Sequence, residues 1–190
     1  IQMSSGTSID AGSGTITLSA VGTNATNNTL RQLTTTNSSS TALVINALGN
    51  VAFNDTVNVT GDISVTSSGN ISQTAALTIG GASSFDTSAS TGTITLTNTS
   101  NDFTGAVTLA SGTGAVQIFD SATLILATST TLGGNLTASA YNGLTISGDL
   151  TSTGNMVLEG DANNSSDGTD NISITSGVTL SSGGTLTMDA

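Results

Sequence analysis

The chain has 190 residues, one basic against 12 acidic, a net charge of -11, and no Cys, His, Pro or Trp. That balance excludes nucleic-acid binding and docking on an anionic membrane through a basic patch, since both need Lys and Arg. It also excludes a disulfide framework and thiolate metal sites, and no apolar run approaches the roughly 18 residues that signal a membrane span.

Thr, Ser, Asn and Gly make up more than half of the chain, while 35% is hydrophobic and only 3% aromatic. Such polarity suggests disorder, but the β-branched aliphatics are plentiful and regularly spaced, which disordered segments lack. In chain order the apolar pairs are Ile16-Thr17-Leu18, Leu43-Val44-Ile45, Val57-Asn58-Val59, Ile63-Ser64-Val65, Leu77-Thr78-Ile79 and Ile94-Thr95-Leu96. They continue as Val107-Thr108-Leu109, Val116-Gln117-Ile118, Leu124-Ile125-Leu126, Leu144-Thr145-Ile146, Ile172-Ser173-Ile174 and Val178-Thr179-Leu180. Alternation over a few residues marks a strand with one buried face, and no window sustains a 3.6-residue period. The polar stretches 24–29 and 34–40, which lack such pairs, are expected to bulge out as insertions.

The intervals decide the architecture. Leu43 to Ile63, Val51 to Ile71, Val57 to Leu77, Leu124 to Leu144, and the series Val116, Leu136, Met156 all step by 20 residues, while Ile94 to Val116 steps by 22. A parallel β-helix needs such equality, because each coil sets its strands on those of the coil below. The expectation is an all-β solenoid with about 20 residues per coil, three short strands per coil and about nine turns, stacked into a rod of roughly 40 Å. The whole chain, 1–190, reads as a single solenoid segment. A longer repeat lies over the short one. Ile1-Gln2-Met3 through Ile9 resembles Ile172-Ser173-Ile174 through Leu180, and Gly14-Thr15-Ile16-Thr17-Leu18 resembles Gly184-Thr185-Leu186-Thr187-Met188. Residues 1–20 thus resemble 172–190, which suggests one unit of about 170 residues from a tandem array, or a subunit whose ends stack.

The phrase Asn101-Asp102-Phe103-Thr104-Gly105-Ala106-Val107, with Asn70-Ile71-Ser72-Gln73 and Leu77-Thr78-Ile79-Gly80-Gly81 before it, resembles large bacterial exoproteins similar to filamentous haemagglutinin. The resemblance is clearest from about 60 to 150. It implies a right-handed parallel β-helix shaft, export across the outer membrane, and adhesion or matrix building. It brings no catalytic residues.

Candidate sites are few. Asp161, Asp167, Asp170 and Asn171 offer oxygen ligands for Ca²⁺ on a Gly-containing loop over 160–171, but their spacing fits neither an EF-hand nor a glycine-rich nonapeptide repeat, so a solvated insertion is the expectation. Eleven Asn-x-Ser/Thr sequons occur, among them Asn54, Asn58, Asn98 and Asn135, and composition accounts for most. Asn at turns is alternatively expected to stack as internal ladders that satisfy backbone groups. Tyr141, Phe53, Phe85, Phe103 and Phe119 are candidate sugar platforms, with core or corner packing the simpler expectation for the phenylalanines. A polysaccharide lyase needs a basic group and only Arg31 is present; a hydrolase needs paired carboxylates, for which Asp55 with Asp62, or Asp149 with Glu159, are the candidates. Ice binding needs a Thr face on every coil, and Thr15-Ile16-Thr17 and Thr93-Ile94-Thr95-Leu96-Thr97 are interrupted elsewhere by Ser, Asn and Asp.

The expected function is a structural or adhesive shaft of a secreted, extracellular or cell-surface filament, not an enzyme, with no catalytic, cofactor or metal residues assigned. The alternative is a discrete subunit that polymerises into a filament or sheath. The expected partners are like units stacked end to end, and surface glycans or matrix, with no nucleic acid and no membrane insertion. The chain starts at Ile1 without a basic, then apolar leader, so any signal peptide is expected to have been removed or to lie outside this segment.

Overall fold

The computed structural model describes residues 1–22, 26–127, 131–164 and 171–190. Every regular element among them is a β-strand. The first half contains β1 (Ser8–Asp10), β2 (Ile16–Ala20), β3 (Asn27–Leu30), β4 (Gln32–Thr35), β5 (Leu43–Ala47), β6 (Asn50–Phe53), β7 (Val57–Val59), β8 (Ile63–Ser67), β9 (Ile71–Gln73), β10 (Leu77–Ile79), β11 (Ser83–Thr87) and β12 (Ile94–Leu96). The second contains β13 (Asp102–Phe103), β14 (Val107–Ser111), β15 (Val116–Asp120), β16 (Leu124–Leu126), β17 (Thr131–Leu132), β18 (Leu136–Ala140), β19 (Leu144–Ile146), β20 (Leu150–Ser152), β21 (Met156–Glu159), β22 (Ile172–Ile174), β23 (Leu180–Ser182) and β24 (Leu186–Asp189).

All pairings between these strands are parallel, and each joins a strand to one in the next coil, as a β-solenoid requires. Sheet I runs β1-β4-β7-β10-β13. Sheet II runs β2-β5-β8-β11-β14-β16-β19-β22. Sheet III runs β3-β6-β9-β12-β15-β18-β21-β24, and sheet IV runs β17-β20-β23. Eight strands at the usual spacing of about 4.8 Å make a stack of about 35 Å.

The intervals read from the sequence are register pairs. Leu43 sits on Ile63, Val51 on Ile71, Val57 on Leu77, Ile94 on Val116, Leu124 on Leu144, and Val116 on Leu136 on Met156. A coil averages about 23 residues rather than 20. Twenty is the length with minimal corners. Insertions stretch Ile16 to Leu43 and Leu144 to Ile172 to longer steps.

The core is a set of inward rows. One is Ile16, Leu43, Ile63, Ser83 and Val107; another is Val51, Ile71, Ile94, Val116, Leu136 and Met156. Strand alternation sends every second side chain into a thin interior, so short β-branched and Leu side chains fill it without large aromatics. Phe53, Phe85 and Phe103 are the bulky exceptions, all fully buried, with Phe85 and Phe103 meeting edge to face at 6.0 Å and 78°.

Three expectations need correction. Much of the polar stretch 24–29 is not a bulge: Asn27–Leu30 is β3, and only residues up to 25 of it fall outside the described residues. Likewise Thr34 and Thr35 belong to β4, and the departure from the coil begins at Thr36. In both places backbone pairing with the next coil outweighs the scarcity of apolar side chains. The strand expected at Val178–Leu180 starts instead at Leu180. The two similar end segments also differ in place: Ile16–Ala20 lies in sheet II and Leu186–Asp189 in sheet III.

Candidate functional site

Two features stand out on an otherwise uniform rod: a buried polar junction and an amide-lined groove. The junction lies where sheet I stops. Asn101 takes the place in its inward row after Ile9, Leu33, Val57 and Leu77. Upstream, Leu33 and Val57 each donate their backbone N–H to a carbonyl of the following coil. Leu77 instead donates to Asn101 Oδ1 at 3.0 Å. One coil later Phe103 N–H donates to Asp120 Oδ2 at 3.2 Å. Two side-chain oxygens thus stand in for the missing strand carbonyls.

The junction is closed by further contacts. Gln73 Nε2 donates to Asn101 Oδ1 at 2.7 Å, and Asn101 Nδ2 donates back to Gln73 Oε1 at 2.8 Å. Asn101 Nδ2 also reaches the Leu96 and Phe119 carbonyls, and the Asn101 carbonyl accepts from Ser121 N–H and Oγ. Asp120, on the inward side of β15, also accepts from Ala122 N–H at 2.8 Å. Burial pushes its carboxyl up to about 6, against the pull of those two N–H donors; the nearby Asp102 charge adds to the rise. Beyond this point the cross-section is redrawn. The N-terminal end of β14 continues into β16, and its Ser111 carbonyl accepts from Gly133, just past β17.

Asparagine ladders line the corner that leads into sheet III. Asn50 Oδ1 accepts Asn70 N–H, and Asn70 Oδ1 accepts Thr93 N–H; further along, Asn135 Oδ1 accepts Asn155 N–H and Asn155 Oδ1 accepts Thr185 N–H. The expected backbone-satisfying ladders exist, but on the rim of the coil. Beside the ladder Asn28 is internal, its amide donating to the Asn50 carbonyl. Beside this ladder runs a groove of about 460 Å³, lined among others by Gln2, Asn27, Thr29, Asn50, Ser72 and Thr93. Its lining is wholly uncharged.

β22, β23 and β24 are edge strands at one end; β1, β2 and the Ile1–Met3 strip, bridged to Thr29 through Gln2, are edges at the other. Leu186 and Met188 continue the rows of Met156 and Leu158. Those two are fully buried, whereas Leu186 is 41% and Met188 44% exposed, and Ile174 is 42%.

The sequence-based candidates distribute as follows. Asp167 and Asp170 lie outside the described residues. Among the described residues no group of three or more His, Cys, Asp or Glu could hold a metal ion. Asp55, Asp62 and Asp149 each accept a backbone N–H, from Thr56, Ala82 and Thr179 respectively. Glu159 faces Ser139 and Asp189 on its neighbouring strands. Phe119 is neither a core row residue nor an open platform. It sits on the outer side of β15, covered by Tyr141 edge to face at 4.7 Å and 81°. The outward row of sheet III reads Ala52, Ser72, Thr95, Gln117, Thr137, Val157, Thr187. Sequence reading missed the Gln73–Asn101–Asp120 junction. Its signal was present: Gln73, Asn101 and Asp120 are polar residues set where the register calls for apolar ones.

Residues 26–110 match a family model described as repeats of unknown function (DUF5649), a span that runs from just before β3 into β14. No curated protein and no solved structure matches the chain. The match and the stacked coils agree that this is a repeat β-solenoid.

Proposed function

We propose that the chain is a shaft segment of a secreted or cell-surface filament, built to stack end to end with like units. The observation that supports this reading is the uninterrupted parallel stacking of the coils, in which each strand pairs with one in the next coil and no strand leaves the rod among the described residues. The likeness of the 101–107 phrase to filamentous haemagglutinin-like exoproteins supports the same role and adds adhesion to it. A discrete self-polymerising subunit is the alternative, and it differs only in whether neighbouring units are covalently joined.

The test is electron microscopy and sedimentation of the chain over a concentration series. Single-solenoid-width rods that lengthen with concentration are expected, and Leu186→Lys with Met188→Lys should abolish lengthening without unfolding the rod. A wild-type chain that stays a monomer at millimolar concentration overturns the reading.

A second reading rests on the groove. Uncharged amides and hydroxyls repeating at coil spacing suit a neutral glycan, whose hydroxyls both donate and accept. Binding to a neutral-glycan array that is lost in Asn70→Ala with Ser72→Ala supports it, and an array with no binding removes it.

A further inference from the structure

We infer that the groove beside the asparagine ladder is a site for the acetamido group of a neutral, N-acetylhexosamine-containing glycan. The inference rests on the neutral-glycan reading above and names the sugar class.

The ladder leaves one amide donor over. Asn50 Oδ1 accepts Asn70 N–H at 2.8 Å, and Asn70 Oδ1 accepts the Thr93 N–H at 2.9 Å and the Thr93 hydroxyl at 3.3 Å. Asn50 also spends its amide nitrogen, which donates to Asn27 Oδ1 at 2.6 Å. Asn70 Nδ2 has no partner among the described residues, and Asn70 is exposed. The two bonds to its oxygen hold the amide plane, so this donor is aimed before any ligand arrives and loses little freedom on binding.

Beside that nitrogen lie an acceptor and a notch. Ser72 is two residues on from Asn70, so both point to the outward side of sheet III. Its hydroxyl is half-buried and makes no bond among the described residues. Thr29, Ala52 and Ser72 are register neighbours in the outward row, and Ala52 ends at its Cβ, leaving an apolar notch between two hydroxyl residues. The strands that carry Ala52 and Ser72 have a paired strand on each side, so the floor of the groove belongs to the body of the rod. Its volume, about 460 Å³, falls in the range of roughly 300–1,000 Å³ usual for small-ligand sites.

An acetamido group is a planar unit with one carbonyl acceptor, one N–H donor and one methyl. Asn70 Nδ2 donates to the carbonyl, Ser72 Oγ accepts the N–H, and the methyl covers Ala52. A sugar hydroxyl serves the two polar groups but brings nothing to cover the Ala52 methyl. A carboxylate or sulfate meets a lining without a cation on a chain of net charge -11. The same ladder recurs without the notch. Asn135 Oδ1 accepts Asn155 N–H at 2.9 Å, but the outward neighbours there are Gln117 and Thr137, and the exposed Gln117 stands where Ala52 leaves space.

The test is an NMR titration of the full chain with two neutral β-1,4 trimers, one of N-acetylglucosamine and one of glucose. The acetylated trimer is expected to bind at least about tenfold more tightly. Asn70→Asp keeps an oxygen on the Thr93 N–H and replaces the free donor by an acceptor, so it should remove that preference. Asn135→Asp makes the same change of charge outside the groove and should leave it intact. Ala52→Gln fills the notch as Gln117 does, without touching the ladder; it should also remove the preference, and it carries the test if Asn70→Asp fails to fold. Equal binding of the two trimers overturns the inference and leaves the neutral-glycan reading standing. A preference that survives in folded Asn70→Asp or in Ala52→Gln places the acetamido contact elsewhere and overturns it too. If neither trimer binds, the inference falls, and a neutral-glycan array without binding removes the wider reading with it.

Discussion

Asp120 is the side chain whose chemistry departs most from its neighbours. It is an inward carboxyl in a row that continues to Ala140, and burial raises it from 3.8 to about 6. Folding therefore takes up a proton between about pH 4 and pH 6. The stability this group contributes is full below about pH 4 and is lost as pH rises through 6. The loss is on the order of 2–3 kcal/mol. Urea denaturation at pH 5 and pH 7.5 should show the wild-type chain gaining stability at the lower pH relative to Asp120→Asn, which lacks the titration. Parallel pH profiles for the two proteins contradict this. Asn101 poses the converse case, a buried amide that is fully used. Asn101→Leu restores the apolar row but strands the Gln73 amide and the Leu77 N–H. A loss of about 3 kcal/mol is expected, partly recovered when Gln73→Leu is added. A double-mutant cycle measures the coupling, and additive losses would count against the reciprocal amide pair.

Among the elements, the corners rather than the strands set the limits on sequence. At the corner between sheets II and III, glycines stack: a Cβ on Gly92 would overlap the carbonyl oxygen of Gly69, and one on Gly114 that of Gly92. The coils lie one strand spacing apart, and the turn leaves no depth for a side chain pointing along the rod axis. Gly92→Ala should cost more than about 2 kcal/mol by denaturant midpoint, whereas Gly22→Ala, with nothing within 4 Å, should be neutral. Equal effects at the two sites would remove steric closeness as the reason for the glycines. The same distinction explains what was legible in the sequence. Strands such as Ile63–Ser67 announce themselves because an alternating aliphatic pair has one physical use. Coil length was legible only where corners are minimal, because an insertion such as the one before β22 changes spacing without leaving an apolar mark. Strand β3, Asn27–Leu30, was hidden because its pairing rests on backbone bonds and an internal Asn28. The junction was hidden because a polar residue at an inward register position looks like a gap until its partners, 18 to 28 residues away, are known.

For the molecule as a whole, the proposed end-to-end assembly sets burial of apolar rows against charge repulsion. Each unit carries a net charge of -11, and its one basic side chain, Arg31, spends its guanidinium on the Met3 and Asn54 carbonyls. Two such rods repel as they approach. That repulsion between whole rods is long-ranged and falls within reach of screening. At about 0.01 M salt the Debye length is about 30 Å, close to the length of the stack; at about 0.15 M it is about 8 Å. Burial of the end rows, by contrast, is strengthened or unchanged by salt. End-to-end association should therefore tighten by at least about tenfold between 10 mM and 0.5 M NaCl, read as a fall in the dissociation constant by sedimentation velocity. The tightening should be absent in Leu186→Lys/Met188→Lys, because that chain has lost the apolar contact that screening unmasks. Association that weakens with salt would instead mean that ion pairs, not apolar rows and strand edges, hold the units together, and Arg31, as the one basic side chain, would be the place to look for them.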